Sequence, residues 1–128
     1  MSKEVEYTNL DYHFMHYCGQ ELKTAEDGSL YIEAELRKDF LNPYGLVHGG
    51  YLASMADNVG GFNALRWMEK PMTLSTHIDY FRNCAEGTLI GTAEVVKRGR
   101  KICVVRVDIR CGEKLLAQAT ITYFNSAQ

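Results

Sequence analysis

The chain has 128 residues, 46% of them apolar, enough for one domain with a core of its own. Fourteen basic residues stand against sixteen acidic ones, a net charge of -2, which excludes a nucleic-acid surface or a polyanionic tail as the organising feature. The charged opening MSKEVEYTNL and the lack of any run of 18 apolar residues point to a soluble, cytoplasmic protein, and the four scattered cysteines (18, 84, 103, 111) to reduced thiols, with no zinc or redox motif.

In chain order, residues 9–18 carry a cap at Asn9 and apolar residues at 10, 14, 15 and 17, predicting a short amphipathic helix that ends at Gly19. Alternation from Leu30 to Leu36 predicts a half-buried strand. Glycine and proline in the segment 42–50 (NPYGLVHGG) exclude a continuous element there. From about Gly50 to Met68 the period becomes helical: Leu52, Met55, Ala56, Val59 and Phe62 form an apolar stripe, and Ala53, Asp57, Gly60, Gly61 and Ala64 a neighbouring stripe of small residues. Adjacent glycines cost a helix about 1 kcal/mol each, so something is expected to approach that face closely.

Pro71 is expected to stop this helix, and four strands follow at about 72–82, 88–98, 101–111 and 114–124. In the third, Cys103, Val105, Val107, Ile109 and Cys111 share a face opposite Arg106, Asp108 and Arg110. Turns at Glu86-Gly87, Arg98-Gly99-Arg100 and Gly112-Glu113 make sequential neighbours antiparallel, so a four-stranded meander is expected. The result is a single α+β domain over 1–128, with one helix lying on one antiparallel sheet whose other face is polar.

Chemistry concentrates between residues 42 and 57. Gly49 and Gly50 fall at the start of the long helix, where N–H groups lack intrahelical partners and the dipole is positive, a place that would polarise a carbonyl oxygen. An ordinary capping turn is the competing account. Asp57 is the only acid between Asn42 and Glu69. A helix-interior acid facing solvent explains it as readily as a general base does. Eight residues of helix set it roughly 12 Å from Gly49, beyond hydrogen-bond reach of a carbonyl held there. Two copies of the helix packed antiparallel would bring Asp57 of one chain to the Gly49 end of the other, with two symmetric sites.

The pattern N-x-x-G-x-x-H-G-G with Asp nine residues after the His, the IDYFRN segment, and VVKRGRKICVVRVDIR before a final strand together resemble the hot-dog fold acyl-CoA thioesterases, PaaI-type branch, over about residues 28–125. The resemblance implies a long helix wrapped by an antiparallel sheet, protomers joined edge to edge as a homodimer and as a dimer of dimers, and sites between subunits. It implies that Asn42 and the Gly49 N–H hold the thioester oxygen. Asp57 of the other chain is then base or nucleophile, and His48 fixes the loop or meets the sulfur. Thr73 helps hold water; a shift of two residues would give that place to Ser75. Coenzyme A enters as part of the substrate, with no cofactor.

The turn Lys97-Arg98-Gly99-Arg100-Lys101 is either a solvated turn or a dock for the phosphates of CoA, with Arg98 and Arg100 favoured. Gly50 and Asn83 count with it as substrate-binding, although Asn83-Cys84 departs from the family's usual proline-containing stretch. Tyr44, Tyr51 and His77, with Phe14 and Phe62, are candidates for an acyl pocket and equally for packing; His77 also has Asp79 on its strand face. A non-catalytic acyl-CoA binder on the same fold is the alternative function. A hot-dog dehydratase would need its histidine as acid/base in a different helix-start context.

Overall fold

The computed structural model describes residues 13–127. Its elements are α1 (His13–Tyr17), β1 (Glu21–Thr24), β2 (Leu30–Glu35), a single 3-10 turn (Lys38–Phe40), α2 (Gly49–Ala64), β3 (Pro71–Tyr80), β4 (Thr88–Arg98), β5 (Ile102–Cys111) and β6 (Lys114–Asn125). The strands form one sheet in the order β1-β2-β4-β5-β6-β3, antiparallel throughout. Helix α2 lies across its inner face and touches every strand from β2 to β6. This is the hot-dog architecture.

Period and burial agree along most of the chain. Leu52, Met55, Ala56 and Val59 of α2 are buried against Ile32, Leu89, Val105, Val107, Ile109 and Ile121 of the sheet. Each such aliphatic burial contributes about 1.5–3 kcal/mol, which outweighs the helix's two internal glycines at about 1 kcal/mol apiece. Cys103 is buried as expected, Cys111 only half so, and all four cysteines are free thiols. Phe62 is half-buried at the margin of the core.

The expected meander needs correction. Strands β4, β5 and β6 are sequential neighbours, but β3 pairs with β6 at the opposite edge of the sheet from β1. Alternation specifies which face a residue takes, not which edge a strand joins. The Phe81 and Arg82 N–H groups prolong the pairing to Leu116 O (2.8 and 3.3 Å), and the connection then passes the β5–β6 hairpin, where Lys114 Nζ donates to Asn83 O at 3.3 Å. Glu86-Gly87 thus ends a crossover, not a hairpin.

Other boundaries move for local reasons. The long helix ends at Ala64, four residues early, because its last turn tightens into i→i+3 bonds from Arg66 and Trp67 to Asn63 and Ala64; Pro71 opens β3 instead of closing the helix. A register shift at Ile109/Arg110 leaves Leu116 without a partner on β5, so both Leu116 and Ala117 are buried and Leu115 is only half-buried. Strand β1 has no alternation to announce it. Among the described residues the N-terminal helix covers His13–Tyr17, and the cap expected at Asn9 lies outside them.

The close approach to the glycines also proves to come from within the chain. A Cβ on Gly60 would fall closer than 3.0 Å to Tyr123 Oη, whereas one on Gly61 would meet the same ring at an ordinary 3.7 Å. Gly60 and Ala64 are buried against the protein's own sheet, while Ala53, Asp57 and Gly61 are half-open.

Candidate active site

The segment before α2 is shaped by its own backbone. Leu41 and Val47 form an isolated antiparallel bridge, and between them Asn42 Oδ1 accepts from the N–H groups of Tyr44 (2.9 Å) and Leu46 (3.1 Å). Gly45, at φ 80°, takes the left-handed conformation that closes this turn. The oxygen of Asn42 is therefore committed to the loop, and its amide hydrogens are what it can offer a ligand.

His48 is the N-cap of α2. Its backbone is extended and its Nδ1 accepts from the Gly50 N–H at 2.9 Å, which puts the hydrogen of the neutral ring on Nε2. Among the described residues no group accepts from the Gly49 N–H, which remains one of the helix's orphan donors. Tyr80 stands beside it: its hydroxyl donates to Gly49 O at 3.2 Å, and its ring lies 3.6 Å from where a Cβ on Gly49 would be.

Asp57 lies two turns further along α2. Thr73 Oγ1 donates to its Oδ1 at 2.7 Å, and Tyr123 Oη lies 3.1 Å from that same oxygen and 3.0 Å from the Asp57 carbonyl oxygen. No described group donates to Oδ2. The pairing Thr73↔Tyr123 between β3 and β6 places both hydroxyls on the inner face under the carboxylate. A register shift at Leu74 then sets Ser75 opposite Thr122, on the outer face, so Thr73 and not Ser75 reaches Asp57. Burial, then the neighbouring Asp57 charge, drive the Tyr123 phenol far above its ordinary 10.0, and it is a permanent donor at working pH.

Beside Asp57 opens a cleft of about 340 Å³, lined by Asp57, Gly61, Phe62, Leu65, Pro71 and Thr73 among others. Neither Asn42, His48 nor Gly49 lines it. One straight helix holds both groups, so within a chain the electropositive end and the acid stay apart, as the helical rise requires.

The remaining candidates scatter. Phe62 joins the cleft, whereas Tyr51 is buried in the core, stacked on Phe40 at 4.3 Å with its hydroxyl on Cys18 O at 2.6 Å, which removes it from any acyl pocket. His77 points from the outer face and pairs with Asp79 at 3.0 Å, so it too leaves the pocket. Tyr44 is 87% exposed and does not line the cleft beside Asp57; Phe14 is also exposed. Asn83 Oδ1 accepts from the next N–H, that of Cys84, at 2.8 Å.

At the basic turn Gly99 N–H bonds Ile102 O at 2.7 Å, with no room for a Cβ beside that oxygen. Arg98 stacks its guanidinium over Trp67 at 4.0 Å, leaving its N–H edge available; Lys97 and Arg100 are exposed. Trp67, Tyr80 and Tyr123 were not singled out from the sequence. For Tyr123 the sequence held a signal: Leu115, Ala117, Ala119, Ile121 and Tyr123 alternate along the last strand, and a glycine pair stands on the long helix.

Comparison with known proteins establishes the family. The model of the thioesterase superfamily matches residues 44–118. A variant of the phenylacetic acid degradation protein PaaI from Thermus thermophilus superposes with a TM-score of 0.82 at 30% identity, covering 88% of this chain and 98% of that one. A hypothetical thioesterase from Streptococcus pneumoniae, solved with coenzyme A, is 31% identical with a TM-score of 0.78, covering 85% and 90%. Human acyl-coenzyme A thioesterase 13 is 28% identical over 107 residues, 79% of this chain and 76% of its own. The chain belongs to the thioesterase superfamily, among the PaaI-related hot-dog enzymes, and is a thioester hydrolase.

Proposed function

We propose that the protein hydrolyses acyl-CoA to free acid and CoA in sites shared by two copies of the chain. The observation that carries this reading is the half-built site: Asp57 lines a largely apolar cleft with its Oδ1 held and no described donor on Oδ2, and the orphan amide of Gly49 sits two helical turns away where it cannot serve the same substrate. Antiparallel apposition of two copies joins the halves.

Asp57 Oδ2 takes a proton from water as the oxygen attacks the thioester carbonyl, and Thr73 keeps the carboxylate facing it. Negative charge gathers on the carbonyl oxygen, held by the Gly49 N–H and the Asn42 amide. On collapse the C–S bond breaks and CoA leaves as thiolate; the proton on Asp57 passes to it, and the His48 Nε2–H is the free donor of the helix cap that can steady the sulfur. Water is consumed, acid and thiol are released, and no cofactor enters. The phosphates of CoA rest on Arg100 and the open edge of Arg98. Four free thiols suit a cytoplasmic setting.

The test is Asp57→Asn on a panel of aryl, short, medium and long acyl-CoAs, where kcat falls by about 10²- to 10⁴-fold with the fold intact. Sharing is tested by mixing inactive Asp57→Asn and Asn42→Ala chains. Half of randomly formed pairs are mixed and each holds one intact site, so about a quarter of wild-type activity returns. No recovery on subunit exchange rejects the shared site.

A further inference from the structure

We infer that Tyr123 is a positioning residue for thioester hydrolysis: from within the core its hydroxyl steadies the Asp57 carboxylate so that Oδ2 faces the cleft, and Gly60 is glycine because that hydroxyl passes it. The inference rests on Asp57 acting as the base.

Three observations converge on it. Tyr123 is 2% exposed, yet its oxygen lies 3.0 and 3.1 Å from the carbonyl and carboxylate oxygens of one residue, Asp57. A phenol has one hydrogen, and the Asp57 carbonyl already sits inside a continuous helix, so the anionic oxygen is the stronger acceptor for it. Thr73 approaches that same Oδ1 at 2.7 Å from the neighbouring strand, as the direct cross-strand partner of Tyr123. Two hydroxyls on one oxygen set the plane of the carboxylate and leave the other oxygen to the cleft.

The third observation is steric. Gly60 lies one turn after Asp57, and it is the phenolic oxygen, not the ring, that a Cβ there would overlap; ring carbons would stand at 3.3 and 3.4 Å. A helix interior that carries glycine at about 1 kcal/mol relative to alanine does so here over the Tyr123 side chain, whose hydroxyl makes the closest approach. Were Tyr123 only core, phenylalanine would fill the space without burying an oxygen that needs a partner.

Two donors on one oxygen restrict the carboxylate's rotation, so losing one slows the chemical step without weakening substrate binding. The experiment is steady-state kinetics of the full-length Tyr123→Phe enzyme on its best acyl-CoA, beside wild type and Asp57→Asn. Expected is a kcat lower by about 3- to 10-fold with KM within about twofold. Gly60→Ala, which keeps the phenol and displaces its oxygen, gives the same selective fall in kcat and serves should Tyr123→Phe not fold. A kcat equal to wild type, or a fall in kcat matched by a comparable change in KM, overturns the inference, because a merely structural loss does not single out kcat. If Asp57→Asn is inactive while Tyr123→Phe is unchanged, only this inference falls. If Asp57→Asn turns over normally, the base assignment falls and Tyr123 with it.

Discussion

Replacing the two adjacent glycines of α2 by alanine should change stability in opposite directions. Both substitutions gain the helix about 1 kcal/mol in backbone propensity. At Gly60 the new methyl falls inside 3.0 Å of Tyr123 Oη, so the hydroxyl must withdraw and its bonds to Asp57 at 3.0 and 3.1 Å open. Overpacking of this kind costs about 1–3 kcal/mol, and a lost hydrogen bond to a carboxylate about 1.5–3 kcal/mol. Set against the propensity gain, the net loss for Gly60→Ala is about 1.5–5 kcal/mol.

At Gly61 the methyl meets the Tyr123 ring at 3.7 Å, ordinary contact, and the gain of about 0.5–1 kcal/mol stands alone. Urea unfolding at one fixed protein concentration reads both. With a slope of about 2 kcal/mol/M, the Gly60→Ala midpoint drops by about 0.75–2.5 M and the Gly61→Ala midpoint rises by about 0.25–0.5 M. A Gly60→Ala protein as stable as wild type would refute the steric reasoning and the placement of Tyr123 together. A loss at Gly61→Ala would instead put a partner's helix against the half-open face.

Reversing charge at both Arg98 and Arg100 should raise KM for acyl-CoA several-fold more than for the matching pantetheine thioester, which lacks the nucleotide phosphates; equal effects would return the turn to a solvated role. Tyr51→Phe should cost about 0.5–1.5 kcal/mol through the lost bond to Cys18 O and leave acyl-chain preference alone, whereas a changed chain-length profile would put Tyr51 back in the pocket. Stability should decline above pH 9. Burial, then contact with the Cys111 thiol, lifts Cys84 from 9.0 to about 11, and Tyr123 is lifted well beyond its ordinary 10.0. Between the unfolded and folded values the native state holds more protons, so stability is complete below about pH 9 and falls as pH rises. A urea midpoint flat from pH 8 to 11, or a decline not lessened in Tyr123→Phe, would contradict this.

What the sequence disclosed follows from what each signal encodes. Helical period and strict alternation report which face of an element is covered, and Leu52, Met55, Val59, Val105, Val107 and Ile121 are buried as those periods require. They carry no information about edges, and so β3 was expected beside β4 and is found beside β6. The motif from Asn42 to Asp57 was legible because glycine, a cap and a lone acid mark a helix start and a polar intrusion without reference to anything distant. Tyr51, Tyr123 and His77 were not separable by type: one stacks on Phe40, one holds Asp57, one pairs with Asp79 outside. Only the third dimension distributes aromatics between core, site and surface. The close approach inferred from Gly60 was real, but its source was β6 of the same chain, since a glycine records that a neighbour is near and not whose it is.

The same strand that carries Thr73 offers a geometry for the shared site. Among the described residues nothing pairs with the outer edge of β3, and it holds Thr73 against Asp57 at one end and Tyr80 against Gly49 at the other. Its inner-face residues Thr76, Ile78 and Tyr80 are exposed or half-buried, as is Ala53 of the helix beneath. Directly opposed residues in antiparallel strands share a face. A two-fold axis at His77 satisfies that rule: it pairs Thr76 of one copy with Ile78 of its twin, Ser75 with Asp79, and brings Tyr80 opposite the Leu74 irregularity beside Thr73. Such an axis would turn the Gly49 end of each helix toward the Asp57 end of the other, as the proposed shared site requires. His77 would face its own counterpart across the axis, so a His77→Cys chain should crosslink to itself under mild oxidation, and the crosslinked pair should retain turnover because the axis stands between the two sites. A crosslinked but inactive pair, or no crosslink at protein concentrations where wild type is active, would move the axis elsewhere along β3 and with it the pairing of Tyr80 with the Thr73 end.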